Sequence, residues 1–162
     1  MEKKNGSVER IRSCMLMESA CAAVFHLLAL NFPRESDLWN QMAMDEEAHA
    51  EFIAKGMNFG DPENFADFRV APELKHIRQT VEYANEFKKM LAKDRVSVKE
   101  AFEMVVRLLQ MKNECYLNDL LGREKEERVK KVFQRLSEID RSGLQLVETV
   151  MSRYDFQKKK EE

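Results

Sequence analysis

The chain has 162 residues, 44% of them hydrophobic and 35% charged, with a formal net charge of −2 at pH 7. That length and apolar content suit a single domain with a real core, and the near-neutral charge removes the general electrostatic case for nucleic acid or an anionic membrane surface as partner. Five glycines and three prolines are too few for many short strands and suit long, surface-charged helices.

No apolar run approaches the roughly 20 residues needed to span a bilayer. The opening Met1 to Gly6 leads into a charged helix and not a signal-peptide core, so a cytoplasmic location is the default expectation. Cys14, Cys21 and Cys115 are odd in number and far from any Cys-x-x-Cys pattern, which suits reduced thiols.

In chain order, residues 1–6 read as a frayed tail and Ser7 as the N-cap of a helix running to about Leu30. Its core stripe is Ile11, Cys14, Glu18, Cys21 or Ala22, Phe25 and Leu28. Phe32-Pro33 breaks the chain, and the second helix follows within a few residues, a link so short that the two must be antiparallel neighbours. In that second helix Leu38, Met42, Glu46, His49 and Ile53 recur at steps of three and four and share one face. Gly56 and Gly60-Asp61-Pro62 are its expected end. The segment to Ala71 reads as irregular, and Pro72 as a first-turn proline for an amphipathic helix over about 73–93, the crossover between two hairpins. Ser97 to Glu100 is a capping box that opens a third main helix at Val98, expected to stop near Leu121 and Gly122. The fourth, about Glu124 to Phe156, carries the stripe Val129, Phe133, Leu136, Asp140, Gly143, Val147 and Met151. Residues 157–162 read as a second solvated tail.

Two ionisable groups, Glu46 and His49, lie mid-stripe one turn apart, and Glu18 lies mid-stripe in the preceding helix. Burial of such groups is costly without partners, and Glu-x-x-His is a metal-ligand spacing in helical bundles. The two hairpins can be laid on one another. Glu18 precedes Glu46 by 28 residues; a step of 30 back from Asp140 lands on Gln110, on a face with Val106, Asn113 and Leu117. The first hairpin then carries Glu, Glu-x-x-His and the second Gln, Asp-x-x-Gly. Glu138 and Glu114 are substitutes rotated off these stripes.

The stretch Glu18 to Phe25, Leu38-Trp39 and Asp45 to Ala50 resembles the rubrerythrin branch of the ferritin-like superfamily, as does Val96 to Ala101, and the likeness covers nearly the whole chain. The resemblance implies an all-α, ferritin-like four-helix bundle with a long crossover that here contains an extra helix. It also implies a central di-iron carboxylate site with peroxide or dioxygen chemistry, an external electron donor, and a homodimer. The rubredoxin module of the family, with its two Cys-x-x-Cys pairs, is absent. Position by position, Glu18, Glu46 and His49 match the ligand pattern, while Gln110, Asp140 and Gly143 depart from it. Glutamine offers a neutral oxygen, aspartate is one methylene short, and glycine offers no ligand.

Three carboxylates, Glu18, Glu46 and Asp140, and one imidazole are thus expected to converge, with no Lys or Arg on the same stripes near that level. One divalent ion, iron or zinc, held by Glu18, Glu46 and His49 and helped by Asp140 and Gln110, balances this charge best. The readings that stay open are an intact two-metal site and no metal. Cys14 and Cys21, on the face of Glu18, read as small buried apolar residues or as soft ligands. His26 and His76 fall outside the ligand stripe, and Trp39 reads as packing. The expected function is a rubrerythrin-like metal-binding protein, an oxidoreductase for peroxide or dioxygen or a handler of iron. The alternative is a non-catalytic ferritin-like structural or partner-binding protein with one metal or none.

Overall fold

The computed structural model describes residues 2–59, 73–93, 95–117 and 127–154. The described residues form α1 (Glu2–Asn31), a 3-10 turn (Pro33–Glu35), α2 (Ser36–Phe59), α3 (Leu74–Ala92), α4 (Val98–Leu117) and α5 (Glu127–Arg153), with no strand among them. The all-helical expectation therefore holds. Two ends differ from it. Residues 2–6, expected to fray before a cap at Ser7, belong to α1. Gly56 lies inside α2, which continues to Phe59; a helical glycine costs only about 1 kcal/mol relative to alanine, too little by itself to stop a helix. The expected turn after Asp61, Pro72 and the stop at Leu121 and Gly122 lie outside the described residues.

Local chemistry sets the helix ends. Phe32 precedes a proline, which disfavours the helical region; its backbone lies outside that region (φ −125°, ψ 79°), and α1 ends at Asn31. At α4 the capping box forms as expected. The Ser97 N–H donates to Glu100 Oε2 at 2.8 Å, and the Glu100 N–H donates back to Ser97 Oγ at 3.3 Å. Each satisfies a helix-end donor that has no partner in the helix.

Side-chain pairs give the directions. His26 meets Glu47 at 2.8 Å while Glu18 faces His49, so α1 and α2 run antiparallel. Phe102 packs on Tyr154 with ring centroids 5.5 Å apart while Lys112 faces Asp140, so α4 and α5 are antiparallel as well. Arg78 reaches Glu9 at 3.5 Å, whereas Leu91 and Leu28 share a cluster at the other end. Helix α3 therefore runs parallel to α1 and carries the chain from one hairpin back to the start of the next.

The core is divided. One apolar cluster gathers Phe25, Leu28, Trp39, Phe87, Phe102 and Leu108; Trp39 stacks on Phe25 at 6.3 Å and tilts against Phe102 at 5.0 Å. The second gathers Ile11, Cys14, Met17, Ile53, Ile77, Tyr116 and Leu136. Each fully buried large side chain in these clusters contributes roughly 1.5–3 kcal/mol of transfer free energy. On α1, α2, α4 and α5 alike, the residues between the two clusters are polar: Glu18, Glu46 with His49, Lys112, and Asp140, all buried.

Helix α1 corrects one expectation. Its Glu9–Asn31 portion, 23 residues that include an 18-residue window of mean hydropathy 1.7, is long and apolar enough by composition to cross a membrane. Its inner face, including Ile11, Cys14, Met17, Val24 and Phe25, is buried within the protein, which is the pattern of a core helix, and Glu18 sits at its middle.

Candidate functional site

The polar layer is built from the inner faces of four helices, with two side chains from α2 and one from each of the others. In a helix, residues three or four apart share a face, so Glu18 lies between buried Cys14 and Cys21 on α1, and Glu46 and His49 lie between Met42 and Ile53 on α2. On α4 the buried series is Phe102, Val105, Leu109, Lys112, Cys115 and Tyr116. On α5 it is Leu136, Asp140 and Val147. The helix packing thus brings five ionisable groups together with no more than 5% of any residue exposed.

Lys112 is the hub. Its Nζ donates to Glu46 Oε2 and lies 2.8 Å from Glu18 Oε2 and 2.9 Å from Asp140 Oδ1. Tyr116, one turn further along α4, donates its hydroxyl to Glu18 Oε1. The remaining face is closed by His49, whose Nδ1 is 3.5 Å from Glu18 Oε2, 3.5 Å from Glu46 Oε2 and 3.7 Å from Asp140 Oδ1. Asp140 Oδ2 has no hydrogen-bond partner among the described residues.

The electrostatics follow from this packing. Burial opposes the ammonium of Lys112, but Asp140, Glu18 and Glu46 outweigh it and hold its pKa well above the usual lysine value. Burial likewise opposes ionisation of Glu18, yet Lys112 and the contacts with Glu46 and His49 keep its carboxyl below the usual range. Glu46 goes the other way: burial dominates over Lys112, the neighbouring Glu18 adds to it, and its pKa is pushed up to about 8. Burial also raises Asp140, against the pull of Lys112. His49 is lifted to about 9, because its contacts with Glu18 and Glu46 overcome its burial. Near neutral pH the layer therefore holds an ammonium and an imidazolium against carboxyl groups that share out the remaining protons.

Of the residues expected at the site, Glu18, Glu46, His49 and Asp140 converge. Gln110 does not; it is exposed on α4, as are the substitutes Glu114 and Glu138. The residue that reaches the centre from α4 is Lys112, and the expectation of no lysine at this level is corrected. The register step is the cause. Lys112 precedes Asp140 by 28 residues, the spacing that separates Glu18 from Glu46; a step of 30 is two residues too long, and two residues turn a helix by about 200°, from its inner to its outer face. Tyr116 is the other residue the reading missed, and it lies one turn beyond Lys112 on the same stripe. Gly143, expected to leave a gap, borders a cleft of about 170 Å³ beside the centre.

No family model, no curated protein and no solved structure matches the chain. The chemistry therefore rests on the site itself. One ligand atom each from Glu18, Glu46 and His49 lie within 4.8 Å of one another, so this buried group could hold a metal ion. The same oxygens, however, already face a cation. A divalent ion placed about 4 Å from the Lys112 ammonium meets a repulsion on the order of 8 kcal/mol at an effective dielectric of 20. With Lys112 in place and protonated, an ion has to compete with its ammonium for the oxygens of Glu18, Glu46 and Asp140.

Cys14, Cys21 and Cys115 are free and buried. Burial, with the negative charge of Glu18 beside it, raises the Cys14 thiol well above its usual value, and burial with Glu46 does the same to Cys21. Reactive thiols need the opposite shift, so both behave as small core residues. His26 is exposed and paired with Glu47.

Proposed function

We propose that the chain is a ferritin-like four-helix bundle of the rubrerythrin type in which Lys112 takes the place of a metal ion, and that it serves as a structural or partner-binding protein instead of a metal-dependent oxidoreductase. The observation that carries this reading is the position of the Lys112 Nζ among Glu18, Glu46 and Asp140. The two antiparallel hairpins joined by α3 support the architecture. The common 28-residue spacing supports the equivalence of Lys112 with the carboxylate ligand that the resemblance implies at this point of the third bundle helix. A lysine there supplies internally the positive charge that a carboxylate would have to draw from a metal.

Elemental analysis of protein purified without chelator tests the proposal directly. The expected result is well under one iron or zinc per chain and no iron-dependent peroxide turnover. One tightly held ion per chain refutes it.

A second reading is favoured by the convergence of donors from Glu18, Glu46 and His49 within 4.8 Å. Here Lys112 swings aside, and one divalent ion, iron or zinc, binds to these three residues and Asp140. A bound ion would supply Lewis-acid or redox chemistry, the latter with an external electron donor. The same elemental analysis separates the two readings, because only the second predicts a stoichiometric ion.

A further inference from the structure

The outer face of α1 is open to solvent and apolar. Leu16 and Leu30 are 65% and 77% exposed, and Ala20, Ala23 and Leu27 between them are partly exposed. The five follow one another at steps of four and three, the spacing of a seam that packs against a second helix. From Ser13 to Leu30 the one exposed ionisable residue is His26. The face continues onto α2. His26 shares a side of α1 with Ala23 and Leu30 and meets Glu47 at 2.8 Å. Next to Glu47 on α2, the exposed Met44, Ala48 and Phe52 recur at steps of four.

Two features say what covers this face. The first is its symmetry. On α1 the series Leu16, Ala20, Ala23, Leu27 reads the same in both directions, with its midpoint between Ala20 and Ala23. On α2, Met44 and Phe52 stand four residues either side of Ala48. The two midpoints are level, because Glu18 and His26, either side of Ala22, meet His49 and Glu47, either side of Ala48. One twofold axis across the face therefore lays Leu16 on Leu27 of a second copy, Ala20 on its Ala23 and Met44 on its Phe52. Such self-complementarity is what an isologous dimer requires. The second feature is charge. Exposed Glu9 and Arg12 lie at one end of the face, and exposed Arg34 and Asp37 at the other. Antiparallel copies bring opposite signs together at both ends, whereas parallel copies set Arg12 beside Arg12.

The area sets the strength. The α1 seam from Ser13 to Leu30 is about 25 Å long and about 10 Å wide, and the α2 stripe adds about half as much. That is short of the roughly 800 Å² per partner of a standard interface, so a dimer that dissociates at micromolar concentration is expected. We propose that the chain forms a twofold homodimer in which the outer faces of α1 and α2 pack antiparallel on those of a second copy. The proposal goes beyond the reading of Lys112 and does not depend on it, since this face lies on the side of α1 away from Glu18.

Sedimentation equilibrium of the full-length chain reads the association, with circular dichroism as the check of fold. The wild-type mass should rise from 19.0 kDa towards twice that value over roughly 1–100 μM. Leu16→Glu and Met44→Glu replace exposed side chains, so both should fold. Each should weaken association at least about tenfold, because a dimer loses two buried apolar side chains. Met90→Glu, in the groove between α3 and α4, should leave association unchanged. Met44→Lys combined with Phe52→Glu should associate at least about tenfold better than either substitution alone, because the axis sets position 44 against position 52. A concentration-independent mass of 19.0 kDa overturns the proposal, and a monomer that floats with neutral phosphatidylcholine vesicles assigns the face to a lipid surface instead. Association lost in Met90→Glu, or kept in both Leu16→Glu and Met44→Glu, moves the interface elsewhere and also overturns it. No recovery in the double variant overturns the antiparallel register.

Discussion

Replacing Lys112 by methionine separates the ammonium from the volume of the side chain. Methionine keeps most of the buried hydrocarbon, and volume-conserving replacements in a core are the best tolerated. The cationic partner of Glu18, Glu46 and Asp140 is lost. Breaking a buried ion pair by removing one partner costs about 3–5 kcal/mol. The lower end is expected here, because Glu46, with its pKa near 8, already carries a proton at neutral pH, and His49 remains to face the other two acids. A loss of about 3 kcal/mol in a chain of this size lowers Tm by roughly 6–12 °C. The same substitution removes the repulsion that keeps a divalent ion out, while Glu18, Glu46 and His49 still converge. Zinc at about 100 times its Kd then returns about 2.7 kcal/mol, so most of the lost Tm should reappear on adding zinc to Lys112→Met. The wild type should show no such rise. The assay is thermal unfolding with and without zinc in chelator-free buffer, paired with elemental analysis. A wild type that gains Tm with zinc as the variant does, or a variant that loses less than about 1 kcal/mol, refutes the assignment of Lys112 as the internal cation.

Combining Lys112→Glu, Asp140→Glu and Gly143→His should restore the ligand pattern implied by the resemblance and raise metal content towards two ions per chain, read by elemental analysis; an unchanged content means that the 28-residue register is wrong. Ser97→Ala should destabilise the protein by about 1 kcal/mol through loss of the α4 cap, measured by denaturant unfolding. Its partner Glu100 is held below the usual carboxylate value of 4.5 by the Ser97 side-chain and backbone hydrogen bonds, so this contribution is present above pH 4.5 and fades as pH falls below it; a Ser97→Ala penalty unchanged on acidification refutes the pairing. Trp39 buries an Nε1 with no hydrogen-bond partner among the described residues, so Trp39→Phe, which removes that group but keeps one aromatic ring, should cost less than Trp39→Ala, expected at about 3–5 kcal/mol, both by chemical denaturation. The homodimer expected from the sequence is checked by sedimentation equilibrium, where a concentration-independent mass of 19.0 kDa rules it out.

The helices were legible because their apolar residues keep a period of three to four and because proline and the capping box mark their ends in local chemistry. The crossover helix was expected at 73–93 and spans Leu74–Ala92. Glu18, Glu46 and His49 were legible for a different reason. An ionisable residue in the middle of an apolar stripe must be buried with partners, and Glu and His advertise which partners they take.

Lys112 obeys the same rule, yet from the sequence no lysine is expected on these stripes at that level, for two physical reasons. Lysine is almost never fully buried unless paired, so it carries no expectation of a core position, and its neighbours Asn113 and Glu114 make that turn of α4 look solvated. The stripe Phe102, Val105, Leu109, Lys112, Tyr116 nonetheless has the spacing of the stripe that holds Glu18. The 28-residue spacing then decides between the two candidate registers. It applies to both hairpins only if Lys112, not Gln110, is the inward residue, and the buried side chains on either side of it agree. What the spacing alone could not give is the sign of the charge balance. A carboxylate at position 112 would leave four acids and one imidazole, a centre that calls for metal. The ammonium leaves three acids against two bases, a centre that can satisfy itself.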